Sequence, residues 1–224
     1  MTPRACFEIV GPPGSGKTTL VRELARRHPE FQLRSPPGLR ELRRLPFFLR
    51  NGLALAPAFA KLTFGRGGRC LRPEEYFGLV CLRGWHRRLL RTGPAGGVAI
   101  LDQGPVFMLA ELLFFRGPQI VKLMSGARWK RTLEIWRSIL GGIVWLDAAD
   151  PVLAERIDTR DKGHLIKGAS SDEARDFLER SRASLNQAIS ILRADGQSPA
   201  VTTIDTGRPS LDDVVDRLSR DLRS

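Results

Sequence analysis

Apolar residues run almost unbroken through Ala5-Cys6-Phe7 to Ile9-Val10, through Val98 to Leu101 and through Gly142 to Leu146, as expected of strands covered on both faces. Phe31 to Leu33 and Ala200 to Ile204 are shorter strand candidates. Between these runs the apolar period lengthens to three and four. Leu20, Val21 and Leu24 share a face of a helix predicted over Thr18 to Arg27, which His28-Pro29 ends. Leu39 to about Leu90 reads as helical, punctuated at Asn51-Gly52, Pro57 and Gly65 to Gly68, with Arg72-Pro73-Glu74-Glu75 opening an amphipathic helix. Pro105 to Phe115 is an apolar helix. Arg128 to Leu140 is another, whose Trp129, Leu133, Trp136 and Leu140 form a stripe suited to core packing. Asp150-Pro151 looks like an N-cap and first-turn proline, and Ser170 with Glu173 a capping box for a long helix ending near Leu192. A last helix spans Leu211 to Leu222. Strand and helix alternate throughout, so the pattern predicts an α/β fold with a parallel sheet between two helical layers.

At 224 residues and 42% hydrophobic content, one domain over 1–224 is expected, with 39–92 as a helical insertion that binds an acceptor. No apolar run reaches membrane-spanning length, and the first strand leaves no room for a cleavable signal, so a soluble cytoplasmic chain without a membrane partner is expected. Cys6, Cys70 and Cys81 are too few and too far apart for a disulfide framework or a zinc site. The net charge of +12 suits phosphorylated ligands, acidic surfaces or nucleic acid alike. The arginines are scattered and not interleaved with aromatics, which disfavours a dedicated nucleic-acid surface.

Gly11-Pro12-Pro13-Gly14-Ser15-Gly16-Lys17-Thr18 directly follows the first strand and reads G-x-x-x-x-G-K-T, the Walker A pattern, with Thr19 continuing into the helix. Glycines let successive main-chain N–H groups approach a phosphate, Lys17 adds a compact charge for the β- and γ-phosphates, and the Thr18 hydroxyl suits Mg²⁺. The helix that follows points its positive end at the same anion. Asp102 ends the strand Val98 to Leu101, where a second Mg²⁺ ligand is expected. Gln103 follows in place of a glutamate that would activate water, so transfer to a bound acceptor fits better than hydrolysis. Arg156 and Arg160 share a helix face and lead into Lys162 and Lys167, so 156–170 reads as a lid that brings cations to the migrating phosphoryl group. Arg180 and Arg182 are weaker candidates.

These features together resemble the nucleoside and nucleotide kinases of the P-loop superfamily, in particular the thymidylate kinase and deoxynucleoside kinase branch. The likeness rests on Gly11 to Thr18, on the strand ending in Asp102, on Trp145-Leu146-Asp147 with Asp150-Pro151, and on Arg156 and Arg160 before a basic segment. It implies a three-layer P-loop fold with a five-stranded parallel sheet of order 2-3-1-4-5, ATP with Mg²⁺ as donor, and a nucleotide or nucleoside as acceptor. The loop Thr206 to Arg208 would then lie near adenine. The resemblance departs at Asp102-Gln103-Gly104, which lacks the arginine that commonly follows, leaving Arg34 or Arg83 to grip the acceptor. It also departs at Arg34-Ser35, where deoxynucleoside kinases carry a glutamate base. Losing that carboxylate favours an acceptor that is already a phosphate, although Asp102 offers an alternative base. A homodimer is compatible with this reading.

Lys17, Asp102, Arg156 and Arg160 are therefore the catalytic candidates of an ATP-dependent phosphotransferase. The alternative is a P-loop ATPase or nucleotide-dependent regulator that binds nucleic acid or a protein through its basic surface. A GTPase is disfavoured because Thr159-Arg160-Asp161-Lys162 is not a guanine motif, and an ABC cassette because Leu123-Met124-Ser125-Gly126 is only a faint match to its signature.

Overall fold

A computed structural model describes residues 6–37, 45–65, 69–91, 97–160, 163–193 and 199–223. The expectations for Ala5, Gly38, 39–44, 66–68, 92–96, Asp161, Lys162 and 196–198 lie outside them. The described chain runs β1 (Cys6–Val10), α1 (Lys17–Arg27), β2 (Phe31–Arg34), α2 (Leu45–Ala54), α3 (Ala56–Phe64), α4 (Pro73–Arg91), β3 (Val98–Leu101) and α5 (Pro105–Arg116). It continues with α6 (Pro118–Met124), α7 (Ala127–Ile139), β4 (Leu140–Asp147), α8 (Asp150–Thr159), α9 (Ser171–Leu192), β5 (Ala200–Asp205) and α10 (Leu211–Asp221).

The five strands form one sheet of order β2-β3-β1-β4-β5 in which every pairing is parallel. Alternation along each strand divides the core in two, because successive side chains leave a strand on opposite faces. Cys6, Val10, Ala99, Leu101, Ile143 and Trp145 pack on one side with α2 to α7 and α9. Ile9, Ile100, Val144 and Leu146 pack on the other with α1 and α10. Trp129, Leu133, Trp136 and Leu140 are all buried in the first cluster, as the stripe predicted, and Trp136 Nε1 donates to the Leu82 carbonyl at 2.8 Å.

Three local expectations change. The helix expected to reach Leu140 stops at Ile139, and β4 begins at Leu140, because Leu140 pairs with Cys6 at the start of the sheet. Gly117-Pro118 opens a short helix, α6, that the periodicity passed over. Asp150 is not the N-cap of α8: Ala149 holds that position without a side-chain cap, while the Asp150 carboxylate pairs with Arg182 at 2.7 Å. The capping box at Ser170 and Glu173 is present.

Two polar groups buried in the first core layer set the orientation of its helices. Glu8 lies wholly inside on β1, and its carboxylate accepts from the N–H groups of Val106 at 2.9 Å and Phe107 at 2.8 Å, seating the start of α5 against the sheet. Burial pushes the Glu8 carboxyl up to about 8, against the pull of those N–H groups. Further along α5, Arg116 bonds Glu75 of α4 at 2.9 and 3.0 Å and donates to the carbonyls of Leu62, Arg69 and Cys70.

Candidate functional site

At the carboxyl end of β1 the chain must turn sharply between β4 and α8, and glycine is what lets it pass. A Cβ on Gly11 would run into the Leu146 carbonyl, and Gly14, at φ 83°, sits against the Leu153 backbone of α8. Close seating of Gly14 on Leu153 brings the next turns of α8, which carry Arg156 and Thr159, over the loop. No side chain caps α1, so its first N–H groups remain available at the loop's end.

Lys17 folds back over this loop. Its Nζ donates to the carbonyls of Gly11 at 2.8 Å and Pro12 at 2.9 Å and lies 3.4 Å from Ser15 Oγ. Burial pushes the Lys17 amine down to about 8, with Arg160 acting in the same direction and Asp102 and Asp147 against it. His164 is likewise held below its ordinary value by burial, by Arg160 and by Lys17. Arg160 Nε is buried without a hydrogen-bond partner. Three groups able to carry positive charge thus converge above the loop, and neither Lys17 nor Arg160 has an ion-pair partner among the described residues.

The loop forms the floor of a cavity of about 1090 Å³, lined by Gly11, Pro13 to Leu20 and Arg22, and roofed by Arg156, Thr159, Arg160, His164 and Leu165. The cavity has two unlike ends. Toward α10 it is bounded by Thr206, Pro209, Leu211 and Val214. Arg156 closes this end by donating to Thr206 Oγ1 at 3.2 Å and to the Thr206 carbonyl at 2.7 Å. Toward α5 and α9 it is walled by Phe107, Ala110, Glu111, Phe114 and Phe177, with Ser181 and Ser184 alongside. Phe107, Ala110, Glu111 and Phe114 are three and four apart, so one face of α5 supplies most of that wall. Phe114 and Phe177 lie 5.0 Å apart, and the Arg180 guanidinium rests 4.6 Å over Phe114.

Glu111 is the one carboxylate among the described lining residues; the residue keeps an exposed surface, yet partial burial against the wall together with Glu74 raises it to about 7. The sequence reading passed over it. The available signal was a lone charge inside an otherwise apolar helical run, which periodicity alone treats as a surface position.

The other candidate residues are distributed unevenly. Thr18, Thr19, Arg156 and Arg160 line the cavity; Pro12 contributes its carbonyl to Lys17. Asp102 sits just past β3, close enough to favour the charged form of Lys17, and its N–H donates to the Arg34 carbonyl at 3.0 Å. Arg34 bonds Gln32 at 2.7 Å and is not among the lining residues. Arg83 stands on α4 beside Arg128, Arg87 and Arg50, also away from the lining. The described part of 39–92 contributes no lining residue, nor do Ser35 to Pro37. Arg182 is occupied by Asp147 at 2.8 and 3.0 Å and by Asp150, which fixes α9 to the end of β4.

No protein-family model and no curated protein sequence matches the chain.

Proposed function

We propose that the protein is a P-loop phosphotransferase that moves the γ-phosphoryl group of MgATP to a small-molecule acceptor. The observation that carries this reading is the convergence of Lys17 and Arg160 over a glycine loop, two partly buried cations with no ion-pair partner among the described residues. Burying unpaired charge is costly, and a ligand that brings several negative oxygens removes the cost. A triphosphate matches the loop: its main-chain N–H groups and the uncapped start of α1 would take phosphate oxygens while Lys17 left the Gly11 and Pro12 carbonyls for the β- and γ-phosphates.

The two ends of the cavity suit two substrates. The Thr206 to Val214 end, with Arg156, would take the nucleoside of the donor, and the α5–α9 wall would take the acceptor. Four phenylalanines there, Phe107, Phe114, Phe115 and Phe177, favour a flat or apolar body, as in a nucleoside or nucleotide. Glu111 is suited to accept a hydrogen bond from a hydroxyl and would repel a phosphate dianion, so it favours a hydroxyl acceptor over a phosphorylated one.

The Thr18 hydroxyl at the cavity and the Asp102 carboxylate beyond β3 fit a magnesium ion, which needs few protein oxygens when phosphates and water complete its shell. When bound it would supply charge neutralisation on the phosphates. Arg160 would meet the charge that builds on the migrating group, and its helix would help keep water out.

Incubation with γ-labelled ATP, Mg²⁺ and a panel of nucleosides, nucleotides and other alcohols tests the reading, beside direct ATP titration. Acceptor-dependent label transfer is expected, and Lys17→Ala should weaken ATP binding at least about tenfold and remove transfer. ATP affinity unchanged by Lys17→Ala would sink the proposal.

A further inference from the structure

α2 is apolar on both sides. Phe47 and Phe48 face the core, yet Leu45, Leu49 and Leu53, successive at four-residue spacing on the opposite side, are 53%, 54% and 75% exposed. α3 continues this surface with exposed Ala56, Pro57 and Ala60, and it ends in Phe64 at 86% exposure. Scattered exposed leucines are ordinary; an aligned row of three followed by a bare phenylalanine marks a contact surface.

The sequence through this stretch carries charge of one sign. Residues 42–73 contain no acid, while Arg43, Arg44, Arg50, Lys61, Arg66, Arg69 and Arg72 are all basic. Arg50 and Lys61 are exposed on α2 and α3 themselves. Arg128 Nη1 donates to the carbonyl of Ala54, the last residue of α2, at 3.2 Å, so the guanidinium stands at the end of the leucine row. Arg83 senses Arg128, Arg87 and Arg50 together, which places three arginines within electrostatic reach of it.

We propose that the outer face of α2 and α3 docks on an anionic lipid bilayer, with Leu45, Leu49, Leu53 and Phe64 entering the interface and the surrounding arginines meeting acidic headgroups. A bilayer surface offers the required combination: an apolar layer of limited depth beneath a negative one, into which arginine stems can lie while their heads stay hydrated. A second copy of the chain fits less well, because a two-fold contact would bring each arginine cluster toward its own like. Nucleic acid would leave the leucine row against water or phosphate. The described lining of the cavity includes no residue of α2 or α3, so docking leaves that site open and does not rest on its proposed activity.

Flotation of the purified full chain with phosphatidylcholine vesicles, with and without phosphatidylserine, tests the proposal. Binding is expected to require phosphatidylserine and to weaken with salt. Leu49→Asp with Leu53→Asp should weaken it at least about tenfold without changing the melting temperature. Arg50→Glu with Arg87→Glu, which leaves the leucines in place, should weaken it by a similar factor of about ten. Failure to bind acidic vesicles at low salt, or unaltered binding by both variants, would overturn the proposal. So would sedimentation of the wild type as a dimer that the leucine variant converts to a monomer, or displacement of the vesicles by DNA with the leucine variant binding DNA normally.

Discussion

Arg116 is buried and Arg160 partly so, and they differ in what surrounds them. The Arg116 side chain, 1% exposed, meets both oxygens of Glu75, itself 2% exposed, and three carbonyls complete its shell. Burial pushes the Glu75 carboxyl up, but Arg116, the Arg72 N–H and Arg69 outweigh it and hold its pKa below the ordinary carboxylate range. Among the described residues Arg160 has no such partner: its Nε is buried and unbonded, and it stands close enough to Lys17 and His164 to lower both. An arginine that holds helices together brings its counter-charge with it. One placed to receive an anionic ligand leaves the counter-charge to the ligand.

The contrast can be broken at either member. Arg116→Ala would strand the Glu75 carboxylate inside and should cost about 3–5 kcal/mol of stability, read as a lower midpoint in urea, with no specific effect on nucleotide affinity per folded molecule. Were that variant as stable as the wild type, the pair would not be the structural clamp described. Arg160→Ala should do the reverse, leaving the midpoint unchanged or raised while slowing label transfer by about 10²-fold or more. A destabilised but fully active Arg160→Ala protein would place this arginine with Arg116.

A smaller effect sharpens the same point through pH. Lys17 is lowered in the folded protein from 10.5 to about 8, so the native state binds fewer protons than the unfolded chain between those values. The destabilisation from its buried charge is therefore full below about pH 8 and is relieved as pH rises toward 10.5. Nucleotide binding as proposed runs the other way, because phosphate needs the charged amine. ATP affinity should fall about tenfold from pH 7 to pH 9, and binding near pH 8 should take up about half a proton from buffer. Titration calorimetry in buffers of different ionisation enthalpy measures that uptake; its absence at pH 8 would show that Lys17 is charged before the ligand arrives.

The parallel sheet was legible because parallel strands buried on both faces have to be nearly continuous apolar runs, and Ile9-Val10, Val98 to Leu101 and Ile143 to Leu146 are such runs; the strand order came only from the resemblance. The grouping of the loop was equally plain, since Gly11, Gly14, Gly16 and Lys17 are neighbours in sequence as they are in space. Glu111, Glu8 and the Arg83 cluster were not. Each is defined by groups far along the chain: Glu111 by the cavity wall it shares with Phe177 of α9, Glu8 by two N–H groups of α5, and Arg83 by the charges of Arg50 and Arg128 on other helices. Asp150 shows the same limit in small. Its local pattern reads as a helix cap, and a partner on α9 takes its carboxylate instead.

Hydrophobic period and the glycine pattern alone decided that this chain makes a parallel α/β sheet with a glycine-rich turn after its first strand, because backbone geometry and burial act over a few residues. Which charges stay unpaired, which wall of the cavity carries a carboxylate and which helix face is left bare to solvent were decided only on folding, since charge pairing and exposure depend on what distant segments bring alongside.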